Sequence, residues 1–144
     1  MLRKEVVLIA DDCNSVLEFT AFALEFMGYE TVKAIDGQEA FEKAIELNPD
    51  LIILDYKMPK MDGLEATKLL RQHKTTKDTP IVMITGSDTN NNTLITQAME
   101  LGVNDFLRKP FERAELHARI KSLLKQSQYF KEIMELKNNE LSNT

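Results

Sequence analysis

The run Leu51-Ile52-Ile53-Leu54-Asp55-Tyr56-Lys57-Met58-Pro59-Lys60-Met61-Asp62-Gly63 carries the architecture of this chain. Its first four residues are apolar without alternation. That is the pattern of a strand covered on both faces, and so of a parallel sheet. Asp55 then ends the run, and the carboxyl end of such a strand is where open α/β sheets bind ligands. Two other runs end in charge. Val6-Val7-Leu8-Ile9-Ala10 leads into Asp11-Asp12, and Asp105-Phe106-Leu107 leads, one residue on, into Lys109-Pro110. Three carboxylates and one ammonium are therefore expected at one edge of a sheet. Crowded carboxylates repel unless a cation joins them. Mg²⁺, a hard ion that takes oxygen ligands and keeps several waters, is the simplest such cation.

Working outward, strand and helix alternate along the chain. Glu5–Ala10 reads as a strand and Asn14–Met27 as a helix stopped by Gly28. Thr31–Ala34 is a short strand. Asp36 with Glu39 three residues on has the form of a capping box, and opens a helix ending at Asn48-Pro49. Leu64–His73 is the next helix, Ile81–Ile84 a strand after Pro80, and Leu94–Leu101 a helix capped by Gly102. Asp105–Leu107 is the fifth strand, and Glu112 opens the last helix. Five such units predict an α/β fold, a doubly wound five-stranded parallel sheet with right-handed crossovers. On the first helix, Phe19, Ala23 and Met27 are expected to face the sheet, leaving Leu17, Phe22 and Phe26 elsewhere.

The last helix is too long for this fold. No Pro or Gly occurs from Glu112 to about Leu141. Ile120, Leu123, Phe130, Met134 and Leu141 form a heptad-like stripe interrupted by Ser127 and Lys137. A lone solvated helix buries nothing, so the expectation is a connector that pairs weakly with a second copy. The chain stops without a helix stop signal, as a piece of a longer protein would. We expect residues 1–124 to form the globular domain and 125–144 a helical extension toward an output domain.

Composition narrows the partners. The 144 residues carry 18 basic and 23 acidic side chains, a net charge of -5. That leaves no basic excess with which this segment could neutralise phosphates of a nucleic acid. No apolar run approaches a membrane span, and the N-terminus leads straight into a strand rather than a signal peptide. The single cysteine, Cys13, excludes an internal disulfide and fits a reducing cytosol, so a cytoplasmic location is expected. Cys13 follows the acidic pair, but a hard oxygen set argues against a soft thiolate ligand, and it reads as a helix-start thiol. His73 and His117 read as solvated surface residues.

Taken together, the acidic pair Asp11-Asp12, the Asp55-to-Gly63 segment, Thr85-Gly86 and Gly102-Val103-Asn104-Asp105-Phe106-Leu107-Arg108-Lys109-Pro110-Phe111 resemble the receiver domain of bacterial two-component response regulators. The resemblance runs from about Glu5 to about Leu124. It implies a CheY-like, flavodoxin-like (βα)5 fold, with Asp55 accepting phosphoryl from a sensor histidine kinase or phosphotransfer protein. It implies Mg²⁺ held by Asp12, Asp55 and the backbone carbonyl of Lys57, with Asp11 acting mostly through water. Thr85 and Gly86 are implied to meet one phosphoryl oxygen and Lys109 another, with a cis peptide at Lys109-Pro110. Thr85 and Phe106 would form the switch, Phe106 by packing because it lacks a hydroxyl. Lys57 and Ser87, two residues after Asp55 and Thr85, would flank the route of the attacking water. The exposed side of the first helix would dock the phosphoryl donor, or else cover neighbouring helix surface.

The chemistry asks for the same residue types. Phosphoryl transfer needs an in-line nucleophile and neutralisation of the equatorial oxygens, and a carboxylate can form an acyl phosphate. As a plain alternative for Asp12, a strand-end Asp caps the next helix, a role compatible with metal binding. The protein is thus expected to be a phospho-acceptor that assists its own phosphorylation and dephosphorylation, rather than an enzyme. Two other readings stand beside this one. A phosphorylation-independent interaction or dimerisation module is opposed by the intact acidic set and lysine. A haloacid-dehalogenase-like phosphatase would need a second Asp two residues after the nucleophile, where Lys57 stands.

Overall fold

The computed structural model describes residues 3–86 and 92–142; Ser87 lies outside them. The elements are β1 (Val6–Ala10), α1 (Asn14–Phe26), β2 (Glu30–Ala34), α2 (Gly37–Leu47), β3 (Leu51–Asp55), α3 (Gly63–Gln72), β4 (Ile81–Thr85), α4 (Asn92–Leu101), β5 (Asp105–Arg108) and α5 (Arg113–Ser142). The strands form one parallel sheet in the order β2-β1-β3-β4-β5. This is the doubly wound, flavodoxin-like order, whose direction of winding reverses between β1 and β3.

Continuous apolar strands give two cores, because alternate side chains point to opposite faces. Val7, Ile9, Leu51, Ile53, Val82, Ile84 and Leu107 pack against α1 and α5. Leu8, Ala10, Ile52, Leu54, Ile81 and Met83 pack against α2, α3 and α4, which present Ala40, Ala44, Ala66 and Ala98. Alanines at these contacts let three helices lie close to the sheet. Ile53 and Leu54 are fully buried, and truncating either to alanine costs about 2–5 kcal/mol at sites of this kind.

Local chemistry sets the helix ends. The Asp36 carboxylate accepts the Glu39 N–H at 2.7 Å, and Asp62 accepts that of Glu65 at 2.9 Å. The capping box is not closed in its standard form. Glu39 Oε1 accepts the N–H of Ile35 at 3.3 Å, one residue before the cap. Asn48 ends α2 in the left-handed region, ahead of Pro49.

The first helix turns otherwise than its aromatics suggest. Leu17, Ala21 and Leu24, with Thr20 and Ala23, face the sheet, while Phe19, Phe22 and Phe26 are exposed. The small Ala21 and Ala23 let the backbone approach the strands, and a phenylalanine at either place would hold the helix off. Phe19 instead leans on Phe111, with ring centroids 6.2 Å apart. The last helix is unbroken from Arg113 to Ser142, and its burial stops at Leu124 apart from the half-buried Ser127. Among the described residues, no helix is long and apolar enough to cross a membrane.

Candidate functional site

Four parallel strands end at the same edge, and each delivers one group there. Asp11 follows β1, Asp55 ends β3, Thr85 ends β4, and Lys109 follows β5. Asp11 and Asp55 straddle the point where the winding reverses. Asp11 is fully buried and Asp55 and Thr85 nearly so, whereas Asp12 is exposed. Lys109 is held from both ends. Its N–H donates to the Thr85 carbonyl at 2.8 Å, and the peptide to Pro110 is cis. Its Nζ lies 3.1 Å from Asp11 Oδ2 and 3.3 Å from Asp55 Oδ2.

The loop after β3 folds back over Asp55. The Gly63 N–H donates to the Tyr56 carbonyl at 2.8 Å. A Cβ on Gly63 would lie 2.7 Å from the Asp55 carbonyl oxygen, so only glycine permits this approach. That requirement for Gly63 is absent from the site residues read in the sequence. Its only signal there is a glycine opening a helix directly after an N-cap aspartate.

Carboxylate oxygens of Asp11, Asp12 and Asp55 lie within 4.8 Å of one another. Burial, and then the Asp11 charge, push the Asp55 carboxyl up to about 7 despite the opposing pull of Lys109. Burial pushes Lys109 down, but its ion pairs with Asp11 and Asp55 outweigh burial and leave its pKa raised. One ammonium thus serves more than one carboxylate. Asp11 shows the shortfall most directly. Its Oδ1 accepts the Cys13 N–H at 2.9 Å. Its buried Oδ2 touches Lys109 as an ion pair but accepts no properly directed hydrogen bond. Hard oxygen donors, excess negative charge and a buried oxygen with spare lone pairs fit a hard divalent cation.

Asp12 does not take the helix-start role considered for it, since Cys13 is the N-cap of α1. Asp11 bonds the N–H of Cys13, which occupies the N-cap of α1 with no side-chain cap bond. Asp12, being exposed, is left to face the cleft. Lys57 is exposed and Gly86 half-buried beside the same edge. Phe106 is half-buried in the layer of α2 to α4, in register with Met83. His117 is exposed, as read from the sequence, but His73 is half-buried, edge-on to Phe41 and joined to Thr75 Oγ1 at 3.1 Å.

A second construction lies away from this cleft. Arg71, at the end of α3, donates to the Gly102 carbonyl from Nε and Nη2, at 3.1 and 2.8 Å. It also reaches Asn104 Oδ1 and the carbonyls of Thr76 and Lys77. Asn104 Oδ1 in turn accepts the first N–H of β4. One half-buried guanidinium thus ties the end of α3 to the turn that leads into β5.

The model of the response regulator receiver domain matches residues 7–121. The chain belongs to this family. It is 39% identical over 135 residues to the alkaline phosphatase synthesis transcriptional regulatory protein PhoP of Bacillus subtilis, covering 94% of this chain and 55% of that protein. The receiver thus spans about half the length of the curated relatives it matches. A crystal structure of a putative response regulator from Chloroflexus aurantiacus superimposes with a TM-score of 0.80 at 36% identity, over 85% of this chain and 99% of that one. The receiver domain of sensor histidine kinase PA1611 from Pseudomonas aeruginosa, solved with a magnesium ion coordinated in its active site cleft, gives a TM-score of 0.78 at 26% identity, over 85% of this chain and 99% of that one. The chain is therefore a two-component signal receiver domain on a CheY-like fold.

Proposed function

We propose that Asp55 is the phosphoryl acceptor of this receiver and that a phosphohistidine on a sensor kinase or phosphotransfer protein is the donor. A carboxylate oxygen of Asp55 attacks phosphorus in line. The P–N bond to the donor histidine breaks, its electron pair stays on the imidazole, and an acyl phosphate forms on Asp55. The observation that carries this reading is the placement of Asp55 at the end of β3, 3.3 Å from Lys109 Nζ and beside Asp11. Lys109 neutralises one phosphoryl oxygen, and Thr85 and the Gly86 backbone receive another. Asp11, Asp12, Asp55 and the Lys57 carbonyl would hold Mg²⁺, which would supply positive charge for the remaining oxygens. Water later hydrolyses the acyl phosphate within the same domain, approaching past Lys57.

Phe22 and Phe26, exposed on the helix that starts at the acidic pair, suit a docking face for the donor. The phosphate shifts a pre-existing equilibrium through Thr85 and Phe106. The outer part of α5, exposed and apolar at Phe130 and Met134, relays the shift to an output through weak pairing with a second copy. The domain works in the cytoplasm and itself binds no nucleic acid.

Acetyl phosphate with Mg²⁺ tests the acceptor. Intact-mass analysis should show one added phosphoryl group on the wild type and none on Asp55→Asn. Equal labelling of the two proteins would refute the assignment.

A further inference from the structure

The remaining strand, β2, also ends at the edge where the aspartates gather. The Asp11 N–H donates to the Ala34 carbonyl at 3.1 Å, so the turn after β2 is tied directly to the acidic pair. That turn brings Asp36 and Gly37 against the loop after β3. Asp36 is buried and serves two neighbours. Its Oδ1 accepts the Glu39 N–H at 2.7 Å, and its Oδ2 lies 3.7 Å from Lys60 Nζ. Lys60 has φ 68°, in the left-handed region that lysine rarely adopts. The residue after it rests its backbone on the start of α2. A Cβ on Gly37 would collide with the Met61 carbonyl oxygen, so only glycine lets the loop lie this close.

Between β3 and these anchors the loop has little freedom. Tyr56 is bonded on both sides. Its N–H donates to the Ile84 carbonyl at 2.9 Å, and its carbonyl accepts the Gly63 N–H at 2.8 Å. The Met58 side chain is buried in the layer of α2 to α4. Lys57 stands between these two fixed residues.

We propose that Asp36 and Gly37 are positioning residues for Mg²⁺. The end of β2 seats the loop after β3 at Lys60 and Met61, and so fixes the Lys57 carbonyl that would ligate the ion. The inference rests on the receiver reading above in that one ligand. A carboxylate can adjust by rotating its side chain. A backbone carbonyl moves only when the loop moves, so its contribution depends on whatever holds the loop. Charge alone gives Lys60 the opposite role. Losing an ammonium near a cation site would strengthen Mg²⁺ binding, whereas losing a tether weakens it.

Isothermal calorimetry of Mg²⁺ into the full chain tests this, at a temperature where circular dichroism shows each variant folded. Gly37→Ala should raise the Mg²⁺ Kd about tenfold, the loss typical of a group that orients a metal ligand. Lys60→Met should raise it about threefold, since the pair is exposed on the lysine side, and Lys60→Arg should restore it. Urea melts without metal give the stability of each variant separately. A purely structural Gly37 would lower those melts and leave the Kd of the folded protein alone. A folded Gly37→Ala with wild-type Mg²⁺ affinity would overturn the inference, as would a Lys60→Met protein that binds Mg²⁺ equally or more tightly. If Gly37→Ala does not fold, Lys60→Met decides the matter by itself. A wild type that takes up no Mg²⁺ at millimolar concentration would instead overturn the metal reading, and this inference with it.

Discussion

Replacing Asp55 by asparagine should stabilise the metal-free protein at neutral pH, although it removes an ion pair. Carboxylate oxygens of Asp11 and Asp55 lie within 4.8 Å, a repulsion of roughly 3–4 kcal/mol at an effective dielectric constant near 20. Lys109, 3.3 Å from Asp55, returns roughly 5 kcal/mol on the same scale. Burial of the carboxylate then decides the balance, and it leaves the group titrating at about 7 rather than 3.8. Between those values the folded chain binds a proton that the unfolded chain has lost. Stability contributed by this group therefore falls as pH rises from about 4 to about 7 and stays low above that. The full displacement caps the effect at about 4 kcal/mol. The cleft opens to solvent at Asp12, so about 1–2 kcal/mol is expected after screening, a rise in Tm of about 3–7 °C for Asp55→Asn at pH 7.5. Thermal melts of both proteins from pH 4.5 to 8 measure it, the difference between them cancelling every other titrating group. Millimolar Mg²⁺ should raise the wild type toward the variant and move the variant little. An Asp55→Asn protein less stable than the wild type at pH 7.5, or a difference that does not change with pH, would refute the reasoning.

Two further predictions concern the cations. Lys109→Met leaves Asp11 and Asp55 without their ammonium and should cost about 2–3 kcal/mol in urea melts without metal, with much of the loss recovered in Mg²⁺. Arg71→Lys keeps the charge but loses the fork that serves the Gly102, Thr76 and Lys77 carbonyls. It should cost about 2 kcal/mol, raise hydrogen exchange at the start of β5, and leave Mg²⁺ affinity unchanged.

The order of elements and the gathering of Asp11, Asp12, Asp55 and Lys109 at one sheet edge were legible because both depend on local patterns. Unalternated apolar runs such as Leu51–Leu54 mark strands buried on both faces, and the charge that ends each run marks the cleft. What stayed hidden depends on packing between distant segments. Arg71 bonds backbone carbonyls, which leave no trace in side-chain identity. The rotation of α1 was misjudged because Phe19 was given the sheet face that Leu17 and the small Ala21 take, although Ala23 was placed there correctly. Asp11 and Asp12 look alike in sequence, and only the direction in which the chain leaves β1 buries one and exposes the other.

The central claim is that Asp55, among three clustered aspartates, carries the phosphoryl group. Borohydride reduction of the acetyl phosphate-treated protein converts an acyl phosphate to homoserine in place, and peptide mass spectrometry then locates it. The account predicts homoserine at position 55, formed only with Mg²⁺ present and absent when phosphoryl donor is withheld. Homoserine at position 11 or 12, or a phosphoryl group that survives in Asp55→Asn, would contradict it.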